Sequence, residues 1–217
     1  METIPSIRQK KGLYRYICCV CTLSGFFSSS SLAQDSTVDS YRTLRYQSVV
    51  GQTSDFTCGP ATLATLLTHY YGQPVSEQTL TESSVADMQA RGKEIVEGLT
   101  LLSLRNALTT QNVPSAGYKL TLEQLRGVLG GGLPVVANVI YPRGHYYLVL
   151  GMDDRNVLLA DPSWGVRSQP IANFLNAWNG VVLVPQPSEA EAAQAHAMVT
   201  QQLAKYQERI ERLKTGA

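Results

Sequence analysis

The chain has 217 residues, 44% of them apolar and 16% charged, with a formal net charge of +1. That is enough for one domain with a substantial core plus appendages. The apolar content and balanced charge exclude a disordered chain and give no footing for a nucleic-acid binder.

Residues 1–33 read as a secretory signal. Arg8, Lys10, Lys11 and Arg15 make a basic start, Tyr16 to Phe27 a short apolar run, and Ser31-Leu32-Ala33 a small-x-small cleavage site before Gln34. The run is short for a membrane-spanning helix, although an uncleaved anchor is the alternative reading. No cysteine follows it where a lipid anchor would attach. A periplasmic protein cut after Ala33 is therefore expected. The cut removes those four basic residues and Glu2, so the net charge moves from +1 to −2. It also removes Cys18, Cys19 and Cys21, leaving Cys58 without a disulfide partner. A lone thiol in an oxidising compartment is a liability unless it is used or well buried.

Residues 34–50 are expected to be a loose lead-in, extended from Leu44 to Val50. A Gly-bearing polar turn from Gly51 then runs into Cys58, and Leu63, Leu66, Leu67 and Tyr70 follow at helical spacing. Cys58 thus sits at, or just before, the first turn of a helix, with Pro60 suited to that turn. The helix should end near Tyr71, at Gly72, with Pro74 beyond. Free backbone N–H groups and the positive end of the helix dipole point at such a position, and a thiolate there is stabilised. A buried core cysteine beside a turn is the plainer alternative.

Ser76 opens a second, short helix containing Gln78 and Leu80; residues 83–97 are polar and carry no clear pattern. Thr100 to Thr110 predicts a third helix with Leu101, Leu104 and Leu108 on one face, ended by Asn112-Val113-Pro114. Ser115 to Leu120 predicts a strand. Thr121 with Gln124 predicts a capped short helix, broken by Gly130-Gly131-Gly132. Apolar runs at Pro134–Ile140, His145–Leu150, Val157–Ala160 and Val181–Val184 predict strands joined by tight turns, with a hairpin turn at Asp153 to Asn156. Helices first and an antiparallel sheet afterwards make an α+β layout. Pro185 and Pro187 close a domain of residues 34–187. Residues 188–217 form a helical extension, and a helix over 189–213 would be roughly 37 Å long. Its stripe of Val199, Leu203, Tyr206, Ile210 and Leu213 could pack back on the domain, pair with a second copy, or serve a secretion-system or outer-membrane partner.

A thiol nucleophile needs a base within reach, and the base needs a third group to orient it. His69 lies about three turns along the Cys58 helix, roughly 16 Å away, and cannot reach. His196 falls in the charged extension. His145 follows the turn Pro142-Arg143-Gly144 and opens a core strand; Asp161 ends the next one. A hairpin around residues 152–156 brings His145 and Asp161 side by side and puts Asp153 and Asp154 at the opposite end. A strand-end histidine and an Asp-Pro terminator are the plainer alternatives. The Cys58 N–H and the amide of Gln52 could hold a developing oxyanion. One cysteine and scattered histidines offer no metal-ligand cluster, and no cofactor is expected.

These residues carry a family resemblance. Gln52, five residues and then Cys58, Gly59, Ala61 and Leu63 resemble the nucleophile motif of the bacteriocin-processing cysteine peptidases, papain-like domains that remove double-glycine leaders. His145 before an apolar strand, and Asp161-Pro162 after the next with Trp164-Gly165 close behind, resemble that family's other two motifs. The resemblance spans about residues 45–185. It implies a papain-like fold with N-terminal helices packed on a C-terminal antiparallel sheet. It also implies Cys58 as nucleophile, His145 as base, Asp161 as orienter and Gln52 in the oxyanion hole. Thr57 stands where many members carry Asp, and Pro60 follows Gly59 as in stand-alone relatives. With an export signal and no nucleotide-binding motif, the chain resembles the free-standing exported subclass. Its size, signal and trailing helix are similar to the peptidase-like component of functional-amyloid (Fap-type) export systems. The expectation is a periplasmic peptidase cutting a small exported protein after a Gly-Gly type site. A non-cleaving module that delivers its ligand to an outer-membrane pore is the alternative, and acyl transfer to an amine a third.

Overall fold

The computed structural model describes residues 41–95, 98–140 and 143–216. The predicted signal segment and Pro142 lie outside these.

Among the described residues, seven α-helices and six strands follow in the order α1 (Tyr41–Tyr46), α2 (Cys58–Thr65), α3 (Glu77–Ala90), α4 (Leu101–Thr110), β1 (Ser115–Lys119), α5 (Leu122–Leu129), β2 (Val135–Val139), β3 (His145–Met152), β4 (Asn156–Asp161), β5 (Gly165–Pro170), α6 (Ile171–Ala177), β6 (Trp178–Pro185) and α7 (Glu189–Thr215). The strands form one antiparallel sheet in the order β1-β6-β2-β3-β4-β5. This is the α+β layout expected, with helices on both faces. Val136, Leu148, Leu158 and Leu183 face α2, α3, α4 and α7; Ala137, Val149, Leu159 and Val182 face α5 and α6. Burial on both faces is why β3 and β4 read as unbroken apolar runs rather than alternating ones.

All eight residues of α2 are buried. Gly59 lets α2 lie against α4, since a Cβ there would stand 2.7 Å from Leu104 Cδ1. The Cys58 helix departs from its expected form after Thr65, where Leu66–Tyr70 widens into a π-helical turn before Gly72 ends it at φ +69°.

Three other stretches differ from the sequence reading. The sequence reads as a loose lead-in, extended from Leu44 to Val50, yet Tyr41–Tyr46 is helical. Tertiary contact decides this: Arg45 Nε donates to the Trp164 carbonyl, and its guanidinium lies 5.2 Å from the Trp164 ring centroid. The second helix runs fourteen residues, through much of the unassigned polar stretch. Its buried stripe is Glu77, Leu80, Ser84 and Met88, helical spacing disguised by two polar members. The edge strand β5 and the short α6 are additional elements; Arg167, Ser168 and Gln169 give β5 a polar sequence.

Ser188 and Glu191 cap α7 reciprocally, and Ala195, Val199 and Gln202 are buried. Gln202 Nε2 donates to Ser48 Oγ at 3.0 Å. Gln73 Nε2, just past the Cys58 helix, donates to Glu191. The α7 stripe thus packs back on the body through Val199, Leu203 and Tyr206, while Leu213 stays 73% exposed. Among the described residues, no helix is long and apolar enough to cross a membrane.

Candidate active site

Cys58 is the first residue of α2 and is only 6% exposed. Thr57 prepares the turn: its hydroxyl accepts from the Ser54 N–H at 3.1 Å and faces the Ser54 carbonyl at 3.1 Å. One turn into the helix, Thr62 Oγ1 lies 2.8 Å from the Cys58 carbonyl and 3.0 Å from that of Tyr146. A single hydroxyl therefore ties the cysteine's turn to the residue after His145.

His145 opens β3 and Asp161 ends β4. Continuing the register Leu148↔Ala160 puts Asp161 opposite Tyr147, a diagonal neighbour of His145 on the same face. His145 Nε2 meets Asp161 Oδ1 at 2.9 Å. That bond makes Nε2 the protonated nitrogen of the neutral ring, so Nδ1 is its free base. The His145 ring also packs edge-on against Tyr147, with centroids 5.8 Å apart.

Asp161 is 1% exposed and fully satisfied. Oδ1 also accepts from the Ser163 N–H at 2.9 Å, and Oδ2 accepts from Arg167 Nε at 2.8 Å and Nη2 at 2.7 Å. Burial by itself would raise the carboxyl's pKa. The bonds and charge of His145, then Arg167 and Ser163, outweigh it and hold the pKa below the ordinary carboxylate range. For His145, burial pulls the pKa down. Hydrogen bonding and charge from Asp161 and from Cys58 overcome it, and the pKa rises to about 9. The ring is therefore held protonated at neutral pH.

Gln52 is clamped. Its N–H donates to the Pro162 carbonyl at 3.1 Å, its Nε2 donates to the Ser54 carbonyl at 2.8 Å, and its Oε1 accepts from Ser163 Oγ at 2.7 Å. A carbonyl can only accept, so the amide orientation is fixed, with one Nε2 hydrogen still available. A cleft of about 630 Å³ opens beside these groups, lined by Gln52, His145, Trp164, Asn173 and Asn176 among others. His69 is half-buried in the π-helical turn, and His196 is exposed on α7. Among the described residues, no group of three or more His, Cys, Asp or Glu side chains could hold a metal ion.

Residues 46–190, which hold this whole arrangement, match the model of the peptidase C39 family. The chain belongs to the peptidase C39 family. A probable functional amyloid protease, FapD of Pseudomonas aeruginosa, is 29% identical over 149 residues, which is 67% of this chain and 63% of that protein. The chain thus covers less than two thirds of that C39 relative's length. The peptidase domain of Streptococcus ComA, a bifunctional ABC transporter involved in quorum sensing, superposes with a TM-score of 0.55 at 26% identity, covering 65% of this chain and 98% of the domain. A double-glycine motif protease from an AMS/PCAT transporter, solved with its leader peptide, shares the fold at a TM-score of 0.54 and 21% identity, covering 64% and 91%. The fold is papain-like, and the C39 relatives are cysteine peptidases.

Sequence reasoning named Cys58, His145, Asp161 and Gln52. The structure bonds His145 to Asp161, links Gln52 to Asp161 through Ser163, and sets Cys58 at the start of α2. Sequence reasoning missed Thr62, Ser163 and Arg167. Ser163 was findable, because an Asp-Pro turn that ends a strand presents its next N–H groups to the Asp side chain. Arg167 stands on the strand that the sequence reading did not contain.

Proposed function

We propose that this protein is a periplasmic cysteine endopeptidase that cuts a small exported protein or leader after a small-residue, Gly-Gly type site, within a secretion or functional-amyloid export system. Cys58 attacks the scissile carbonyl as a thiolate, and imidazolium His145 gives its proton to the departing amine. Neutral His145 then takes a proton from water, whose oxygen attacks the thioester carbon; collapse expels the Cys58 thiolate and the acid product, and His145 is left protonated as at the start. Asp161 holds the ring in the tautomer with Nε2 protonated. The remaining hydrogen of the Gln52 amide and the Cys58 N–H receive the oxyanion. Likeness to FapD and to transporter peptidase domains supports this substrate class. The export signal and the α7 extension support an exported protein that works beside a secretion partner.

The observation that carries the reading is His145, bonded through Nε2 to a buried carboxylate and raised to about 9 by that group and Cys58 together. The test is to incubate purified, reduced protein with co-exported proteins, using Cys58→Ala as control. A new fragment with wild type only supports cleavage; identical patterns from both proteins overturn it.

The near burial of Cys58 favours a second reading, a module that recognises the same segment without cutting. Alkylation separates the two. Rapid modification near neutral pH that is lost in His145→Ala belongs to the peptidase; slow, His145-independent modification belongs to the module.

A further inference from the structure

We infer that Glu77, at the head of α3 and outside the cleft, is a positioning residue for the reaction: it aims the Gln52 amide by holding the main chain of the loop that carries it. The role in turnover rests on the peptidase reading above; the hydrogen bond behind it does not.

Glu77 is the first residue of α3 and is only 8% exposed. No Lys, Arg or His forms an ion pair with it among the described residues. A carboxylate buried without a cation costs stability unless its oxygens are hydrogen-bonded. Two features offset that cost. The free N–H groups and the dipole of a helix start favour negative charge in the first turn. Glu77 Oε1 also accepts from the Thr53 N–H at 2.9 Å, across 24 positions of sequence. Leu80, one turn on in the same buried stripe, shows the residue type that packing alone would select.

The bond falls on the peptide plane that matters. Each peptide is rigid, so the direction in which the Gln52 side chain leaves the backbone follows from the two planes that flank its Cα. The plane before it is held from the end of β4, where the Gln52 N–H donates to the Pro162 carbonyl at 3.1 Å. The plane after it carries the Thr53 N–H and is held by Glu77. Ser163 and the Ser54 carbonyl hold the far end of the side chain; Pro162 and Glu77 hold its root.

Glu77 is itself on a fixed mount. Ser76 Oγ accepts from the Thr79 N–H at 3.0 Å, so the start of α3 has its own cap. Leu80 and Met88 share one core with Leu63 and Ala64 of α2. Two helices packed together thus set both parts of the site, since α2 begins with Cys58 and α3 begins with Glu77. Glu77 does not line the cleft of His145, so it acts through Gln52 and not on substrate.

The test compares Glu77→Gln with Glu77→Asp in the full chain. Glutamine keeps an acceptor oxygen at the same reach and loses the charge. Aspartate keeps the charge and draws the oxygen back by about 1.5 Å, one carbon–carbon bond. The substrate is the co-exported protein that wild type fragments. Glu77→Asp lowers kcat about tenfold to a hundredfold, the scale of an ångström misplacement, with KM unchanged. Glu77→Gln lowers kcat no more than about threefold, because its oxygen still takes the Thr53 N–H. Added to Gln52→Ala, Glu77→Asp costs nothing further, since the two residues act as one unit. A merely structural charge at the helix start gives the reverse order, aspartate sound and glutamine impaired, and that result overturns the proposal. So does a Glu77→Asp loss that persists in full on top of Gln52→Ala.

The bond is also read without catalysis. By NMR, the Thr53 amide exchanges with solvent about tenfold faster in Glu77→Asp than in wild type, while the core amides of Leu148 and Val149 keep their rates and show the fold intact. Equal Thr53 rates overturn the proposal whether or not the protein cuts anything. If wild type makes no fragment and Thr53 still responds to Glu77, the peptidase reading fails and the anchoring of Gln52 is upheld.

Discussion

Ser163 Oγ donates to Gln52 Oε1 at 2.7 Å, joining two residues 111 positions apart. The same residue's N–H holds Asp161 Oδ1 at 2.9 Å. One serine thus fixes both the amide offered to the oxyanion and the carboxylate behind His145. Ser163→Ala keeps the backbone bond and frees the amide. We expect kcat to fall about fivefold to twentyfold with KM nearly unchanged, against roughly 10²–10³-fold for Gln52→Ala, the usual loss for an oxyanion-hole donor. Steady-state kinetics on a cleaved substrate check both numbers. Ser163→Thr, which keeps the hydroxyl, recovers most of the loss.

The pH profile follows from His145. Its pKa of about 9 keeps the ring protonated through neutrality, so activity falls as pH rises through about 9. The same shift sets stability. The folded value lies above the ordinary 6.5, so the contribution is complete below 6.5 and is lost as pH climbs towards 9. Asp161 works in the opposite sense. Its pKa is depressed, so its contribution is present above the ordinary carboxylate range and is lost as pH falls through the folded value. Urea unfolding at pH 6 and at pH 9.5 will show wild type weakening at the higher pH. His145→Ala will show little of that difference.

Arg167 donates to Asp161 through Nε and Nη2 and lies over the Tyr147 ring at 5.7 Å. Arg167→Gln removes the bidentate partner. A lost bond to a charged group costs about 1.5–3 kcal/mol. With Arg167 gone, the Asp161 charge acts on His145 with less opposition. The alkaline limb of the activity profile therefore moves to higher pH, and the acid limb does so too as Asp161 becomes easier to protonate. A pH–rate profile separates this outcome from simple loss of fold, which would lower the curve without moving it.

Gly165 has φ +75°, and a Cβ there would collide with the backbone oxygen of Arg45. Gly165→Ala costs about 1–3 kcal/mol in backbone strain alone, and more because the obstacle is main chain. We expect thermal denaturation to show a drop of several degrees in Tm. Gly59→Ala meets only the end of the Leu104 side chain and should lose less.

The central sheet and the His145–Asp161 pairing were legible because strands buried on both faces announce themselves as apolar runs, and a tight hairpin fixes which ends meet. The start of α2 was legible from Cys58, Pro60 and the leucine spacing. What escaped was written in polar residues. Ser84 and Glu77 hid the length of α3, and Arg167 and Gln169 hid β5 behind an edge strand's composition. Leu44 to Val50 read as extended, yet Tyr41–Tyr46 is a helix whose Arg45 meets the Trp164 carbonyl more than a hundred residues away. No local window contains that partner.

The three residues Asp161 to Ser163 answer to two clients at once: the imidazole and the glutamine amide. Heritable change there is pleiotropic, since a substitution that alters what the enzyme accepts also disturbs how it turns over.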